Sequence, residues 1–268
     1  MRNSNLLIEY ILGNKVTIQA EGLTDIGRVR STNQDSLSMD KDRGLYIVAD
    51  GMGGHAGGEI ASKLAIEKIT EYIDQNINAF EQRAQNNHPD PTLYGILAAA
   101  VNHASGRIYE HALEEPHLKG MGTTATAVKI IDNQVYCAHV GDSRLYLYRS
   151  GFLFQLTNDH SLVHEQLRAG FITEEEAESH HLKNVITRSV GYQEEEDVDT
   201  LSFPVEMNDL LILCSDGLYG KVSDIEISGI CKSQGLASGP HLVELANNRG
   251  GEDNITVIML KISGNKRP

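Results

Sequence analysis

Four aspartates lie where apolar, strand-like segments begin or end, and each has a glycine or an asparagine beside it. They are Asp50 in "IVADG", Asp142 in "HVGDSR", Asp216 in "ILCSDGL" and Asp253 in "GEDNITVI". A single acid at such a position is usually a cap or turn residue, but the ends of strands in one sheet can converge. Converging carboxylates repel one another, and a hard divalent cation with oxygen ligands relieves that repulsion. The four acids together therefore predict a divalent metal site.

Glycine is concentrated directly after the first of these acids, with five glycines between Gly51 and Gly58. A residue without a side chain lets the backbone pass close to an ion and turn its carbonyl oxygen toward it. Gly51 is therefore predicted to lend a backbone oxygen to the site. The segment "RVRSTNQD" adds Asp35 as a fifth candidate acid.

The same glycines fit two nucleotide-binding patterns less well. A phosphate-binding P-loop requires lysine after its last glycine, and Glu59 follows Gly58, which excludes this motif. The stretch "GMGGHA" fits the dinucleotide fingerprint G-x-G-x-x-G/A. That fingerprint also needs an acid on a second strand about 20 residues further on, whereas the predicted helix leads into the polar segment Asn78–Pro91. A dinucleotide site is therefore disfavoured.

Cysteine and histidine chemistry is also disfavoured. Cys137 and Arg144 are one residue too far apart for a cysteine-dependent phosphatase. The three cysteines are odd in number and widely spaced, so neither a zinc pair nor a disulfide framework is predicted. His160 and His164 have helical spacing, but a zinc-protease motif requires glutamate after the first histidine, and Ser161 stands there.

Composition and charge restrict the class of protein. The chain has 268 residues, 40% of them apolar and 22% charged, which is typical of a soluble globular protein. Its net charge of −14 argues against nucleic acid or an anionic membrane as a partner. No apolar run reaches the length of a membrane span, and the N-terminal "LLIEYILG" contains Glu9 and is a poor secretion signal. We therefore expect a cytoplasmic protein.

Hydrophobic periodicity indicates the elements that would position these residues. Apolar residues at spacings of three and four predict a helix from Gly58 and another after Pro91. Their apolar positions are Ile66, Ile69, Ile73 and Ile77 in the first helix, and Leu93, Leu97, Val101, Ala104 and Ile108 in the second. β-Branched and aromatic content predicts strands, namely "VTIQAEGLTDIG", "GLYIVAD", "TTATAVKII", "VYCAHV", "SRLYLYR", "FLFQL", "DLLILCSDG" and "NITVIMLKI".

Turn signals and further helices complete this outline. The pairs Asp132-Asn133, Gly141-Asp142 and Ser150-Gly151 predict turns between successive strands. Two more helices are predicted near Ser223–Cys231 and Pro240–Asn248, and residues 1–15 read as an extension or an edge strand. Strands in succession with helices in separate blocks indicate an α+β fold with mostly antiparallel pairing.

Eight short segments now form a recognisable series along the chain. They are "GRVRSTNQD", "VADGMGGHAGG", "GTTATA", "HVGDSR", "NDHSLV", "ITRSVG", "CSDGL" and "DNITVI". In this order they resemble the metal-dependent type 2C protein phosphatase (PPM) family, in its bacterial form, over about residues 24–260. The resemblance implies one catalytic domain, residues 1–268, folded as a four-layer α-β-β-α sandwich. It also implies hydrolysis of phosphoserine and phosphothreonine in proteins by metal-activated water, without a covalent intermediate.

The same resemblance assigns metal-binding roles. Asp50 would bridge two Mn²⁺ or Mg²⁺ ions, and Gly51 would supply its carbonyl oxygen to the first of them. Asp216 and Asp253 would complete the set of ligands around the second ion. Asp142, together with Asp216, would help to hold a third and looser ion.

The resemblance also identifies residues that act on the substrate. Arg30 matches the family's phosphate-contacting arginine, and Asp35 matches an acid near the metal-bound waters. Met52 stands where animal enzymes have a histidine proposed as general acid, and Gln34 replaces their glutamate. The donor of the leaving-group proton is therefore left open between His55 and a metal-bound water.

The polar segment 157–191 resembles the family's flap, a mobile region beside the active site, and we expect it to select substrates. The expected partners are phosphorylated serine/threonine proteins, including substrates of a serine/threonine kinase and the kinase itself. We expect a monomer that binds neither nucleic acid nor membrane. The alternative from another class is a catalytically inactive relative that binds phosphoproteins, which the complete set of predicted ligands disfavours.

Overall fold

Two antiparallel sheets form the centre of the computed structural model, which describes residues 6–12, 16–54, 56–76, 91–178, 180–182 and 184–264. The first sheet has, in order across it, β1 (Leu6–Leu12), β2 (Val16–Asp25), β12 (Ile255–Gly264), β11 (Leu210–Cys214), β8 (Arg144–Arg149) and β9 (Phe152–Gln155). The second has β10 (Asp199–Pro204), β7 (Gln134–Val140), β6 (Ala125–Ile131), β4 (Leu45–Met52) and β3 (Asp35–Asp40), and the short β5 (Gly122–Thr123) pairs with the end of β4.

Seven α-helices accompany the sheets in the described part of the chain. They are α1 (Gly57–Gln75), α2 (Pro91–Glu114), α3 (Leu162–Arg168), α4 (Glu174–Glu178), α5 (Asp216–Tyr219), α6 (Asp224–Gln234) and α7 (Ser238–Asn248). Among the described residues, none of the helices is both long enough and apolar enough to cross a membrane.

Three apolar layers hold the sheets and helices together. The inner faces of the two sheets meet in one core, to which Val48 and Val128 contribute from the second sheet and Leu145, Leu211 and Ile258 from the first. A second core lies between the second sheet and the pair α1 and α2. A third lies between the first sheet and the helices α5, α6 and α7. The predicted α-β-β-α sandwich is confirmed.

The helix predictions are confirmed to different degrees. All five apolar positions predicted for α2 are fully buried. In α1 only Ile69 and Ile73 of the predicted set are fully buried, while Ile66 is partly buried and Ile77 lies outside the described residues. Ala61 and Ala65 complete the buried face of α1, and their small side chains let this helix pack closely on β4.

Two strands of the second sheet were not predicted from the sequence. β3 and β10 are its two edge strands, and most of their residues are only partly buried. Their sequences, "DSLSMD" and "DTLSFP", mix acids, serine and proline with few β-branched residues. Pairing with β4 and β7 makes them strands, so local composition alone does not reveal them. The predicted edge strand near the N-terminus is β1, at the edge of the first sheet.

Candidate metal centre

The strand register brings the predicted acids to one end of the sandwich. Asp35 and Asp50 lie directly opposite each other in the pairing of β3 with β4. Asp216 follows β11 and Asp253 precedes β12. Because these strands are antiparallel neighbours, both acids lie at the same end of the first sheet. Asp142 lies in the turn between β7 and β8. The structure therefore places all five acids close together.

Burial and mutual repulsion raise the pKa values of four of these carboxyls. The pKa of Asp50 is raised well above its usual value, first by burial and then by the negative charges of Asp35, Asp216, Asp142 and Asp253. Burial, followed by the charges of Asp142 and Asp253, raises the pKa of Asp216 to about 8. Burial is again the largest cause for Asp35 and Asp142, whose pKa values rise to about 6. Nearby positive charge would stabilise the ionised form of all four.

Two carboxylate oxygens in the cluster lack partners. Oδ1 of Asp35 and Oδ1 of Asp216 are buried and accept no hydrogen bond from the described residues. An unpartnered buried carboxylate oxygen is costly unless a proton or a cation completes it. All the donors here are oxygens, which suit Mn²⁺ or Mg²⁺ better than a soft metal. The oxygen ligands that these residues offer, and their positions at one end of the sandwich, fit a hard divalent cation.

The carboxylates nevertheless contact one another rather than a common point. Among the described residues, no group of three or more His, Cys, Asp or Glu side chains is arranged to hold a metal ion as the side chains stand. Asp50 lies within side-chain hydrogen-bonding range of both Asp35 and Asp216. Asp253 accepts a hydrogen bond from Arg30. A cation would have to replace these contacts, so the individual ligand roles stay predictions.

Gly51 has a packing role that the sequence did not reveal. A Cβ atom at this position would lie 2.0 Å from the carbonyl oxygen of Gly58 and 2.6 Å from that of Gln34. A Cβ on Gly58 would in turn lie 2.7 Å from the carbonyl oxygen of Gly51. The two glycines therefore let the end of β4 touch the start of α1. This contact explains why both positions are glycine, whether or not Gly51 also binds a metal ion.

Arg30 lies at the rim of the cluster, with its side chain half exposed. Its Nη2 donates to Oδ2 of Asp253 at 2.7 Å, and its Nε donates to the carbonyl oxygen of Glu252 at 3.3 Å. The preceding segment is tied to the same loop, because the Arg28 N–H donates to the carbonyl oxygen of Gly251 at 2.6 Å. A fixed positive charge therefore stands beside the buried acids and remains open to solvent.

The arrangement has counterparts among known proteins. The model of the family described as protein phosphatase 2C matches residues 27–245. The chain belongs to the protein phosphatase 2C family. It is 37% identical to the serine/threonine phosphatase stp of Listeria monocytogenes, over 91% of this chain and 96% of that protein.

Solved structures of phosphatases agree with this assignment. The crystal structure of the Mycobacterium tuberculosis serine/threonine phosphatase PstP/Ppp has a TM-score of 0.81 at 36% identity and covers 92% of this chain and 99% of its own. A structure of the PstP catalytic domain in complex with two manganese ions has a TM-score of 0.79 at 35% identity and covers 93% of this chain and 99% of its own. The family, the sandwich fold and the enzyme class predicted from the eight segments, a protein serine/threonine phosphatase, are confirmed.

Several residues that support the phosphatase's acids were missed by the sequence analysis. Ser215 Oγ donates to Oδ2 of Asp35 at 2.7 Å and accepts the N–H of Thr256 at 3.0 Å. Thr124 Oγ1 accepts the N–H of Asp50 at 2.9 Å. Each lies inside or beside a recognised segment, so its position in the motif was the only available signal. Their partners are distant in sequence and become neighbours only in the folded sheets.

Asn254 is the most highly connected of these supporting residues, and its loss is expected to destabilise the phosphatase. Its Oδ1 accepts the N–H of Gln34 at 2.8 Å, and its Nδ2 donates to the carbonyl oxygens of Ile26 and Thr32 at 3.0 Å each. Asn254→Ala leaves these backbone groups without their partner, so urea unfolding should show a loss of about 2–3 kcal/mol. The exposed Asn248→Ala should change stability by less than about 0.5 kcal/mol. Equal effects of the two substitutions would contradict this role.

Met52 does not supply the proton of the leaving group. Met52, which replaces the histidine of animal enzymes, ends β4 and pairs with Gly122 of β5. A thioether cannot donate a proton. His55, the candidate substitute, lies outside the described residues.

Proposed function

We propose that the chain hydrolyses phosphoserine and phosphothreonine in proteins with the help of bound divalent cations, by direct attack of water on phosphorus. The observation that carries this proposal is the cluster of interacting, largely buried carboxyls around Asp50, with Arg30 at its rim. Two Mn²⁺ or Mg²⁺ ions would be held by Asp50, Asp216 and Asp253 with the carbonyl oxygen of Gly51. A third would lie near Asp142. The two manganese ions of the similar PstP structure support this reading.

Bound divalent cations would supply a water acidic enough to act as a nucleophile near neutral pH and would offset charge on the phosphoryl oxygens. The chain's own residues orient the reaction. Asp35 is fixed by Ser215 through Oδ2, which leaves Oδ1 free to accept a proton from the attacking water. Arg30 presents donors in a planar fork that suits phosphate oxygens.

Arg30→Ala is expected to weaken substrate binding more than turnover. Its half-exposed guanidinium can meet the phosphate before the reaction begins, so KM for a phosphopeptide should rise about tenfold, as expected for one charge-assisted hydrogen bond. Steady-state kinetics at saturating Mn²⁺ measure this. Arg28→Ala removes the same charge two positions earlier and serves as the control. A fall in kcat with unchanged KM would instead give Arg30 a role confined to the transition state.

The proposed reaction needs no thiol, so alkylation should leave it intact. The cysteines Cys137, Cys214 and Cys231 are buried, and burial raises the pKa of the first two thiols to about 12 and of the third to about 11. Iodoacetamide at neutral pH should therefore leave nearly full activity, because the thiolate is the reactive form. A cysteine-dependent phosphatase provides the positive control. Inactivation that inorganic phosphate prevents would contradict the proposed mechanism.

The proposal as a whole is tested by phosphate release from a phosphothreonine peptide with Mn²⁺, with Mg²⁺ and with EDTA, beside Asp216→Asn. Activity that requires the metal and is lost in the variant supports it. Absence of activity with every divalent ion, from folded protein, would favour the inactive phosphoprotein-binding alternative. Phosphopeptide binding measured on the same samples distinguishes that alternative from a protein that neither hydrolyses nor binds the phosphopeptide.

The remaining expectations belong to the same proposal. We propose a single catalytic domain over residues 1–268, acting as a cytoplasmic monomer on substrates of a serine/threonine kinase and on the kinase itself. The flap, residues 157–191, contains α3 and α4 joined by the largely exposed segment 169–173, which suits a surface that selects substrates. Exchanging the flap for that of a relative should change peptide preference and leave hydrolysis of a small aryl phosphate unchanged.

A further inference from the structure

The Asp142 turn (residues 141–143) is fixed to the strand that carries the central acid. Ser143 Oγ and Thr124 Oγ1 lie 2.7 Å apart in a buried hydrogen bond. The Thr124 N–H donates to the carbonyl oxygen of Asp50 at 2.8 Å. A displacement of the turn would therefore be transmitted to the backbone of Asp50.

A second attachment joins the Asp142 turn to the helix that begins with another acid. Tyr219 Oη donates to the carbonyl oxygen of Asp142 at 2.9 Å. Tyr219 is the last residue of α5, whose first residue is Asp216. The Arg144 guanidinium lies 3.6 Å from the centre of the Tyr219 ring and holds it in place. The positions of Asp142 and Asp216 are therefore linked through one hydroxyl group.

A third attachment joins the Asp142 turn to the flap through His160. Its Nδ1 accepts the N–H of Gly141 at 3.0 Å, and its own N–H donates to the carbonyl oxygen of Gly141 at 2.8 Å. Because Nδ1 is an acceptor, the neutral ring carries its proton on Nε2. Nε2 lies 3.3 Å from Oδ2 of Asp199 on β10. The buried imidazole therefore connects the turn with the edge of the second sheet.

The backbone around His160 connects the beginning and the end of the flap. The Thr187 N–H donates to the carbonyl oxygen of His160 at 2.8 Å. The Leu162 N–H donates to the carbonyl oxygen of Val185 at 2.9 Å. Both flap segments therefore meet at the residue that also bonds the Asp142 turn.

We propose that His160 is a positioning residue that couples the packing of the flap against the sheets to the position of the Asp142 turn. A divalent ion bound at Asp142 and a packed flap then stabilise each other. The coupling is reciprocal, because each event then favours the same arrangement of the turn. This inference rests on the proposed function, and it adds a residue outside the predicted ligand set through which substrate selection and metal binding influence each other.

Two substitutions separate this role from a general packing role. Asparagine places an oxygen where His160 has Nδ1, so His160→Asn can keep the hydrogen bond from Gly141. Glutamine places its amide near the position of Nε2, so His160→Gln loses that acceptor and keeps a polar group toward Asp199. His164→Gln, on α3 of the same flap, is the matched control.

Hydrogen exchange of the metal-free protein is the first measurement, because it does not depend on catalysis. In His160→Gln the amides of residues 141–143 and of the flap should both exchange roughly tenfold faster, as expected for the loss of one buried hydrogen bond. His160→Asn should resemble the wild type. Slow exchange in β11 shows that each variant is folded. The proposal is overturned when exchange changes in only one of the two segments, in neither, or equally in both His160 variants.

Mn²⁺ binding by calorimetry is the second measurement. His160→Gln should weaken the lowest-affinity Mn²⁺ site roughly tenfold, with His160→Asn and His164→Gln near the wild type. In activity assays the Mn²⁺ concentration for half-maximal rate should rise more than kcat at saturating Mn²⁺ falls. Unchanged Mn²⁺ affinity in His160→Gln would overturn the coupling. A wild-type protein that exchanges as expected but hydrolyses no phosphopeptide would refute the proposed function and leave the link between turn and flap intact.

Discussion

Asp50→Asn is expected to abolish turnover and to stabilise the metal-free protein at the same time. The carboxyl of Asp50 is held with its pKa well above the usual value by burial and by four neighbouring acids, so its ionised form opposes folding at neutral pH. An amide of the same shape removes that charge. It also removes the proposed bridging ligand, so kcat should fall by at least about three orders of magnitude, which corresponds to several kcal/mol of lost metal-ion stabilisation.

Thermal unfolding in EDTA and phosphopeptide kinetics in Mn²⁺ measure the two effects together. The midpoint should rise by a few degrees in EDTA, at about 2–4 °C per kcal/mol for a chain of this size. Mn²⁺ should raise the wild-type midpoint much more than that of the variant. Asp42→Asn, at an exposed turn position, is the control and should change neither property. A variant that keeps most of its activity, or that is destabilised in EDTA, would contradict the proposed role of Asp50.

The stability of the metal-free protein is expected to fall as pH rises from about 4 to about 8, opposite to its behaviour with Mn²⁺. The pKa values of Asp35 and Asp142 in the folded protein are about 6, and that of Asp216 is about 8, against about 3.9 in an unfolded chain. These carboxyls bind more protons in the folded protein than in the unfolded chain over this range. They outweigh the buried His139 and His160, whose lowered pKa values act in the opposite direction, so stability falls with pH. At about 1.4 kcal/mol per unit of pKa shift, the shift of about two units at Asp35 alone corresponds to a loss of about 3 kcal/mol.

Urea unfolding at several pH values, with EDTA and with saturating Mn²⁺, tests this expectation. Other acids act in the opposite direction, since hydrogen bonds and ion pairs lower the pKa values of Asp40 and Asp199 despite their burial. Their stabilisation is lost only below about pH 4, so the measurement begins above that value. With Mn²⁺ the slope should reverse, because the metal competes with protons for the carboxylates. A metal-free profile that is flat or rises between these limits would contradict the interpretation of the cluster.

The sequence was most informative where short segments carry both structure and chemistry. Apolar strands that end in Asp50, Asp216 or Asp142 predicted a convergence of acids, and the antiparallel register brings them together. Helix α2 could be predicted because its buried positions follow one regular period. These features depend on residues that are near one another in the chain.

Features that depend on distant residues could not be predicted in the same way. The edge strands β3 and β10 become strands only through their neighbours. The pairing of Arg30 with Asp253 joins residues 223 positions apart, and no local pattern indicates it. His160 has helical spacing to His164 in the sequence, but it precedes α3, is buried and bonds to Gly141. Its partners lie on other elements, so the imidazole's environment emerges only from the fold.

The central claim is that the carboxyls around Asp50 bind divalent cations. Anomalous diffraction from crystals soaked in Mn²⁺, with data on both sides of the manganese absorption edge, tests it most directly. We predict at least two strong peaks among Asp50, Asp216 and Asp253, and the loss of these peaks in Asp50→Asn. Peaks only at other places in the molecule, or none in crystals of protein that is active with Mn²⁺, would contradict the account.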